Sequence, residues 1–422
     1  MEKRTAQKEE VYAVIDLKSF YASCECAARG LDIFSTPLVV ADISRTENSI
    51  VMSATPYLKT KYRIPNVCRI RDLPKVPKMI FATPRMAYYI EISAKVVSIF
   101  LDFVDEEDLH VYSIDESFLH LTPYLEMYGC DAETIVARIQ KKIYDELGLV
   151  ATSGMGPNMF LAKVCLDNDG KKTAPYRGHW HQNDFKEKLW AVHPITEIWG
   201  ISTGISSHLS RMGIRSLEAL ARANIKILEK EFGVMGYQLH NLANGIDSAD
   251  IRKKYVPKEK NLSVGQTLTK DYTMQSAKLI LREMNDDLCF RLRMANKKTS
   301  CVSLFVGYSA KVGGGFSRQC TIDVPTDDNE SLYEAIMGLY DRFVMNLPIR
   351  NLGISFSRLE DYNGQQYTLF EDGEEVEERH SLYKSLDNIH FLFGENSALR
   401  ATSLLEDSTI RLRHEEIGGH KA

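Results

Sequence analysis

Two short apolar runs in this sequence end on acid. Val11-Tyr-Ala-Val-Ile15 has the make-up of a buried β-strand and stops at Asp16. His110-Val-Tyr-Ser-Ile114 alternates as a strand and stops at Asp115-Glu116, after which Phe118-Leu-His-Leu121 resumes the alternation. Neighbouring side chains of a regular strand face opposite sides, so Asp115 and Glu116 can share a ligand only where the chain bends, and the broken alternation predicts a hairpin there. An amphipathic helix over 85–106 separates the two runs and a second follows over 133–147. Leu149-Val-Ala-Thr152 then reads as a strand entering Gly154-Met-Gly-Pro-Asn158, with a helix through Phe160, Leu161, Ala162 and Lys163. This β, helix, β-β, helix, β succession predicts a ferredoxin-like α+β unit with three carboxylates at strand ends.

At 422 residues the chain exceeds one ordinary core, and a prior of roughly 150 residues per domain suggests about three packed units. Residues 38–54 hold two strand candidates, around Pro37–Val40 and Ser49–Met52, and beyond Tyr57 the chain turns basic at Lys59, Lys61, Arg63, Arg69 and Arg71. Over 196–222, with Gly200 and Gly204, the pattern predicts two short helices joined by a glycine turn whose backbone N–H groups could meet a phosphate. A charged linker over 252–260 leads to an independent α+β unit with helices near 275–295 and 330–346 and a last strand near 352–358.

The net charge of −5 argues against a nucleic-acid partner only as a whole-chain sum. Residues 251–360 carry 17 basic against 12 acidic side chains, and 361–422 carry 6 against 13, so an acidic tail masks a segment suited to phosphates. No apolar run approaches the roughly 18 residues that span a bilayer, and the charged start MEKRTAQKEE is no secretory signal. The eight cysteines lack the C-x-x-C pairs of zinc sites and read as reduced apolar filler, so the expectation is a soluble, cytoplasmic protein with no membrane partner.

Three clustered carboxylates repel unless neutralised, and hard oxygen donors select Mg2+, with Mn2+ as a substitute. Two such ions roughly 4 Å apart can activate a 3′-hydroxyl and hold a leaving pyrophosphate in an in-line displacement.

These residues resemble the Y-family translesion DNA polymerases, and most closely the bacterial branch that includes the catalytic subunit of the SOS mutagenesis polymerase. The motifs that carry the resemblance are Asp16-Leu-Lys-Ser-Phe-Tyr-Ala22, Ser113-Ile-Asp-Glu116, Gly156-Pro-Asn-Met-Phe-Leu-Ala-Lys163 and Arg350-Asn-Leu-Gly-Ile-Ser-Phe-Ser357, in this order over nearly the whole chain. The resemblance implies a multidomain α+β right-hand polymerase: palm 1–20 and 86–175, fingers 21–85, thumb 176–250, DNA-binding little finger 251–360, and tail 361–422. It implies Asp16, Asp115 and Glu116 as catalytic metal ligands, completed by the Leu17 carbonyl, and Tyr21 as a steric gate against a 2′-hydroxyl.

By the same resemblance Lys163 reaches the triphosphate of the incoming dNTP and Tyr57 contacts its phosphates. Thr60 stands where many members carry a basic residue, so Lys59 or Lys61 beside it is the substitute. Val51 and Ser53 match the small residues that roof the nascent base pair, where loose shape selection lowers fidelity. The turn at Gly200 and Gly204 resembles the DNA-contacting helix-hairpin-helix of the thumb, without its usual closely spaced glycine pair. Arg291, Arg293, Lys297 and Lys298 suit the backbone of primer-template DNA. Gln366-Tyr-Thr-Leu-Phe370 resembles the peptide that docks on the bacterial sliding clamp, with Leu369 and Phe370 in an apolar pocket. An accessory subunit or a recombinase filament is a further conceivable partner.

The expectation is template-directed synthesis past damaged bases, serving the SOS response. Two rivals share parts of the pattern: an inactive DNA- and clamp-binding accessory factor, against which the intact acid trio argues, and a nucleotide cyclase, which would need no template and no little finger.

Overall fold

The acid-ended strand β1 (Tyr12–Leu17) lies at the centre of a five-stranded sheet. The computed structural model describes residues 9–254, 256–257, 260–364 and 373–422, which divide into two compact units, one up to Lys254 with the last three residues and the other ending at Gly419. In the first unit the remaining sheet strands are β2 (Leu109–Val111), β3 (Glu116–His120), β4 (Ala151–Gly156) and β5 (Arg177–His179), in spatial order β5-β4-β1-β3-β2. β1 runs antiparallel to both neighbours, with Asp16 opposite Glu116 on one side and opposite Thr152 on the other, and β5 adds in parallel at the edge. With the helices α2 (Met86–Leu101) and α3 (Ala132–Leu147) in the crossovers, the order of elements is the ferredoxin-like one. β1 continues through Asp16 to Leu17 instead of stopping at it, and β4 starts two residues later than the pattern suggested, so the glycines lie inside the strand.

Alternation along β1 sorts its side chains onto two faces. Ala13, Ile15 and Leu17 enter a core with Ile92, Val96, Ile135 and Ile139 from α2 and α3, while Val14 packs with Phe118, Ala162 and Leu166 on the other face. Asp16 and Glu116, two residues from Val14 and Phe118, share that second face. The helix that covers it is α4 (Met159–Cys165), capped by Asn158, whose Oδ1 accepts from the Leu161 N–H at 2.8 Å. Gly154 permits this packing, because a Cβ there would collide with the backbone of Ala162 and Leu166. The far side of α4 is buried too, with Phe160, Leu161 and Val164 in a core shared with Leu209, Leu217, Leu228 and Leu239 from the helices of residues 203–243.

Between α1 (Phe20–Ala27) and α2, strands Leu38–Val40, Ser53–Ala54 and Ile80–Ala82 form a small sheet beside the helix Pro56–Tyr62. All eight cysteines are free, most of them buried. Among the described residues no helix is long and apolar enough to cross a membrane.

The second unit is a four-stranded antiparallel sheet, β6 (Leu262–Tyr272), β7 (Lys297–Tyr308), β8 (Gly315–Thr326) and β9 (Ile349–Asp361), in order β6-β9-β7-β8. Its core is formed with α5 (Met274–Met294) and α6 (Asn329–Phe343). The acidic segment read as a tail is folded onto it where it is described. Helix α7 (Gly373–Phe393) and the residues after it reach α5 and α6 through Asp387 on Arg293 (2.6 Å), Arg400 on Asp286 (2.7 Å) and Tyr383 donating to Glu330 (2.9 Å). The buried acid Glu283 of α5, which the segment charge count could not locate, finds its donors in this segment, at Ser408 and Thr409.

Candidate active site

The bend that lets Asp115 and Glu116 meet one space is a tight hairpin. The N–H groups of Tyr112 and Ser113 both donate to the Glu116 carbonyl at 3.0 Å, and Leu17 N–H donates to the Asp115 carbonyl at 2.9 Å, which ties the turn to the end of β1. Asp115 Oδ1 accepts from Ser113 Oγ at 2.7 Å.

Two lysines stand over the other acids. Lys163 Nζ is 2.8 Å from Glu116 Oε2, and Lys171 Nζ is 3.0 Å from Asp16 Oδ2, with Asp167 accepting from both lysines. Burial pushes the Asp16 carboxyl above the usual range, with Lys171 opposing and Asp115 adding to the rise. Burial likewise raises Glu116 against the pull of Lys163. Glu116 Oε1 is buried without a hydrogen-bond partner among the described residues. The lysines thus leave part of the desolvation cost of these carboxylates unmatched, and the donor set fits a hard divalent cation.

The trio was expected to share one space; the structure pairs Asp16 with Glu116 across neighbouring strands and sets Asp115 at the adjoining turn. Among the described residues, the set of three or more ligand atoms mutually within 4.8 Å is that of Glu133, at the start of α3, with His179 and His181, at and just beyond the end of β5. Each of the three has its own partner: Asp16 faces Lys171, Glu116 faces Lys163, and Asp115 accepts from Ser113. Lys171 and Asp167 went unnoticed in the sequence; the signal was the spacing Lys163, Asp167, Lys171, three alternating charges four residues apart.

Tyr21 projects from α1 half-buried, its ring centroid 4.9 Å from that of Tyr89 and 5.5 Å from that of Phe20; burial raises its hydroxyl pKa, and the Asp115 charge raises it further. Beneath it lies a network that no sequence pattern announced. Glu25, fully buried, accepts from Arg85 Nε (2.9 Å), from the Tyr89 hydroxyl (2.8 Å) and from Arg29.

Lys59 and Lys61 part company. Lys61 is exposed and donates to the Tyr57 hydroxyl at 2.9 Å. Lys59 is half-buried; burial lowers its pKa, Asp16 opposes that and Lys171 adds to it, so Lys59 is the one that feels the carboxylates. Val51 is buried against Val39, Ala41 and Leu58, and Ser53 Oγ donates to the Ser19 carbonyl at 3.3 Å, at the start of α1. Gly200 takes a φ of +93° just before the N-cap Ser202, whereas Gly204 lies inside the helix Thr203–Arg211, and the turn into the next helix, Leu217–Ala221, holds Gly213 at +84°.

Two of the four basic residues of the second unit, Arg293 and Lys298, differ from expectation. Arg293 is a buried ion-pair partner of Asp387 and also donates to Asn329, so it is not a free cation for phosphate. Lys298 is buried, bonded to the Gly364 carbonyl and 4.8 Å from the Tyr362 ring. Lys297 pairs with Asp361 at its exposed end (2.5 Å), and Arg291, exposed, donates to the Ser263 carbonyl at 3.0 Å. For Arg293 and Lys298 the cause is that α7 and the residues just after β9 supply partners that a count of nearby charges could not see. Gln366, Leu369 and Phe370 lie outside the described residues.

Comparison with known proteins bears on this arrangement. The impB/mucB/samB family model matches residues 15–167, and the model of that family's C-terminal domain matches 259–369. A protein of Bacillus subtilis (strain 168) named for UV-damage repair, UvrX, is 35% identical over 97% of this chain and 97% of its own length. DNA polymerase IV 2 of the same strain is 31% identical over 98% and 99%. A solved Y-family DNA polymerase chimera of Dbh and Dpo4 superposes with a TM-score of 0.66 at 20% identity, covering 83% of this chain and 99% of the chimera. The chain belongs to the impB/mucB/samB family and is a Y-family translesion DNA polymerase. It is a DNA-directed DNA polymerase of metal-dependent type, acting on primer-template DNA and dNTPs.

Proposed function

We propose that Asp16, Asp115 and Glu116, with the Leu17 carbonyl, hold two Mg2+ ions, for which Mn2+ can substitute. When bound, such ions activate the primer 3′-hydroxyl and offset charge on the leaving pyrophosphate. The observation that carries the assignment is the second face of the sheet, where Asp16 and Glu116 are cross-strand partners and Glu116 keeps a buried oxygen with no hydrogen-bond partner among the described residues.

The chain's own cations complete the site. Lys163 and Lys171 now neutralise carboxylates; with a triphosphate present they turn to its oxygens, and half-buried Lys59 supplies the charge that Thr60 lacks, with Tyr57 positioning the phosphates. Lys61, held by Tyr57, is the lesser contributor. The Tyr21 ring, braced by Tyr89, lies against the sugar and excludes a 2′-hydroxyl. Val51 and Ser53 leave space over the nascent base pair, so a distorted template base is accepted at low fidelity. The turn at Gly200, the backbone near Gly204, and Arg291 and Lys297 contact the DNA backbone. The peptide containing Gln366, Leu369 and Phe370 docks on the sliding clamp, and the enzyme works in the cytoplasm in the SOS response.

Primer extension with Asp115→Asn tests the assignment. Synthesis should be abolished while DNA binding stays near that of the parent; undiminished synthesis defeats it. Leu369→Ala with Phe370→Ala should lose stimulation by the clamp and keep basal synthesis, and equal stimulation refutes the docking.

A further inference from the structure

The geometry points to a second metal site at Glu133, His179 and His181, apart from the strand-end acids and built for Zn2+ or a cation of similar borderline character. One ligand atom from each residue can be chosen so that all three lie within 4.8 Å of one another. His179 Nδ1 is 3.2 Å from Glu133 Oε1, and the two imidazole centroids are 3.9 Å apart.

The chain holds these donors in place without help from the ligand. His179 ends β5, and the next residue continues the pairing, with Trp180 N–H donating to the Met155 carbonyl at 3.0 Å. The Trp180 side chain is buried and its Nε1 donates to Asp169 at 2.6 Å. With Trp180 turned inward, alternation sends His179 and His181 to the other side together. His181 is then pinned at both backbone groups: its N–H donates to Asp184 Oδ1 at 2.8 Å, and its carbonyl accepts from the N–H groups of Asp184 and Phe185 at 3.1 Å. Glu133 sits in the first turn of α3, whose N-cap Asp131 accepts from Thr134 N–H at 2.8 Å.

Two imidazoles and one carboxylate are the donor set of Zn2+, and they leave a fourth tetrahedral position for water or another ligand. Mg2+, which wants oxygen donors and keeps its waters, does not compete here. The site would staple β5, the edge strand from which the chain leaves the sheet, to the start of α3. Its existence does not depend on the assignment of the polymerase ligands.

The test is titration of the metal-stripped full chain with Zn2+ in excess Mg2+, beside His181→Ala and His181→Gln, and beside a chain carrying Asp16→Asn and Asp115→Asn. His181 is exposed, so neither of its variants removes core packing. One equivalent should bind to the parent and to the Asp16→Asn, Asp115→Asn chain. Both His181 variants should weaken it by more than the roughly 10–100-fold that outer partners of metal ligands are worth, with primer extension in Mg2+ unchanged. Co2+ in place of Zn2+ should give the intense visible bands of a tetrahedral site in the parent and lose them in the His181 variants. Equal Zn2+ affinity in parent and His181 variants, loss of the equivalent from the Asp16→Asn, Asp115→Asn chain, or only weak octahedral Co2+ bands in the parent would each overturn the proposal.

Discussion

Lys163 Nζ lies 2.8 Å from Glu116 Oε2, and both side chains are more than nine-tenths shielded from solvent. The pair is what α4 contributes to the carboxylate face, and it exists because Gly154 lets that helix approach the strand. Removing one member of a buried pair leaves an uncompensated charge, at a cost of about 3 kcal/mol. Lys163→Met should therefore lower unfolding stability by about that amount in denaturant titration, and Mg2+ should raise the thermal midpoint of the variant more than that of the parent. A variant as stable as the parent would mean that Glu116 has another partner.

Lys171 was invisible as a site residue, yet it holds Asp16 at 3.0 Å. A hydrogen bond between charged groups is worth about 1.5–3 kcal/mol. Lys171→Ala should reduce kcat/KM for dNTP incorporation about tenfold or more in steady-state kinetics, with DNA affinity unaltered. Unchanged kinetics would make it a structural partner of Asp167.

Tyr21→Ala removes the ring that packs on Tyr89, and ribonucleotide incorporation relative to deoxyribonucleotide should rise about tenfold or more, since steric exclusion acts through ring volume. Tyr21→Phe should retain discrimination. Competition assays with matched rNTP and dNTP pairs decide between them.

The Glu25 carboxyl is held below the usual range: burial works against ionisation, but the donors Arg85, Arg29 and Tyr89 outweigh it. A depressed folded pKa gives stability that is full above the unfolded value of about 4.3 and is lost as pH falls through the folded one. Glu25→Gln should be less stable by about 2 kcal/mol at neutral pH, and its stability should fall less between neutral and acid pH than that of the parent. Parallel stability curves against pH would exclude the network from acid unfolding.

Arg291 and Arg293 separate DNA contact from folding within one helix. Arg293→Ala breaks the buried pair with Asp387 and should cost about 3 kcal/mol without changing the salt dependence of DNA binding. Arg291→Ala should leave stability alone and lower the slope of log affinity against log salt by about 1. A slope change in the Arg293 variant at undiminished stability would reverse these roles.

The pattern of residues already determined the ferredoxin-like order of elements, the acid-ended strands, the bend at Asp115, and an independent α+β unit after residue 260. These depend on periods of two and 3.6, on caps and on turn residues, all of which act over a few positions. Only the tertiary structure decided which face Asp16 and Glu116 share, that Lys171 returns to Asp16 across 155 residues, that Arg293 is spent on Asp387, and that Glu133 meets two histidines. Those outcomes depend on strand register and on how closely one helix approaches a sheet. Both are set by the summed packing of distant segments: the local spacing of Lys163, Asp167 and Lys171 marks a charged helix face, but which carboxylate on a distant strand it meets is decided only by the packing.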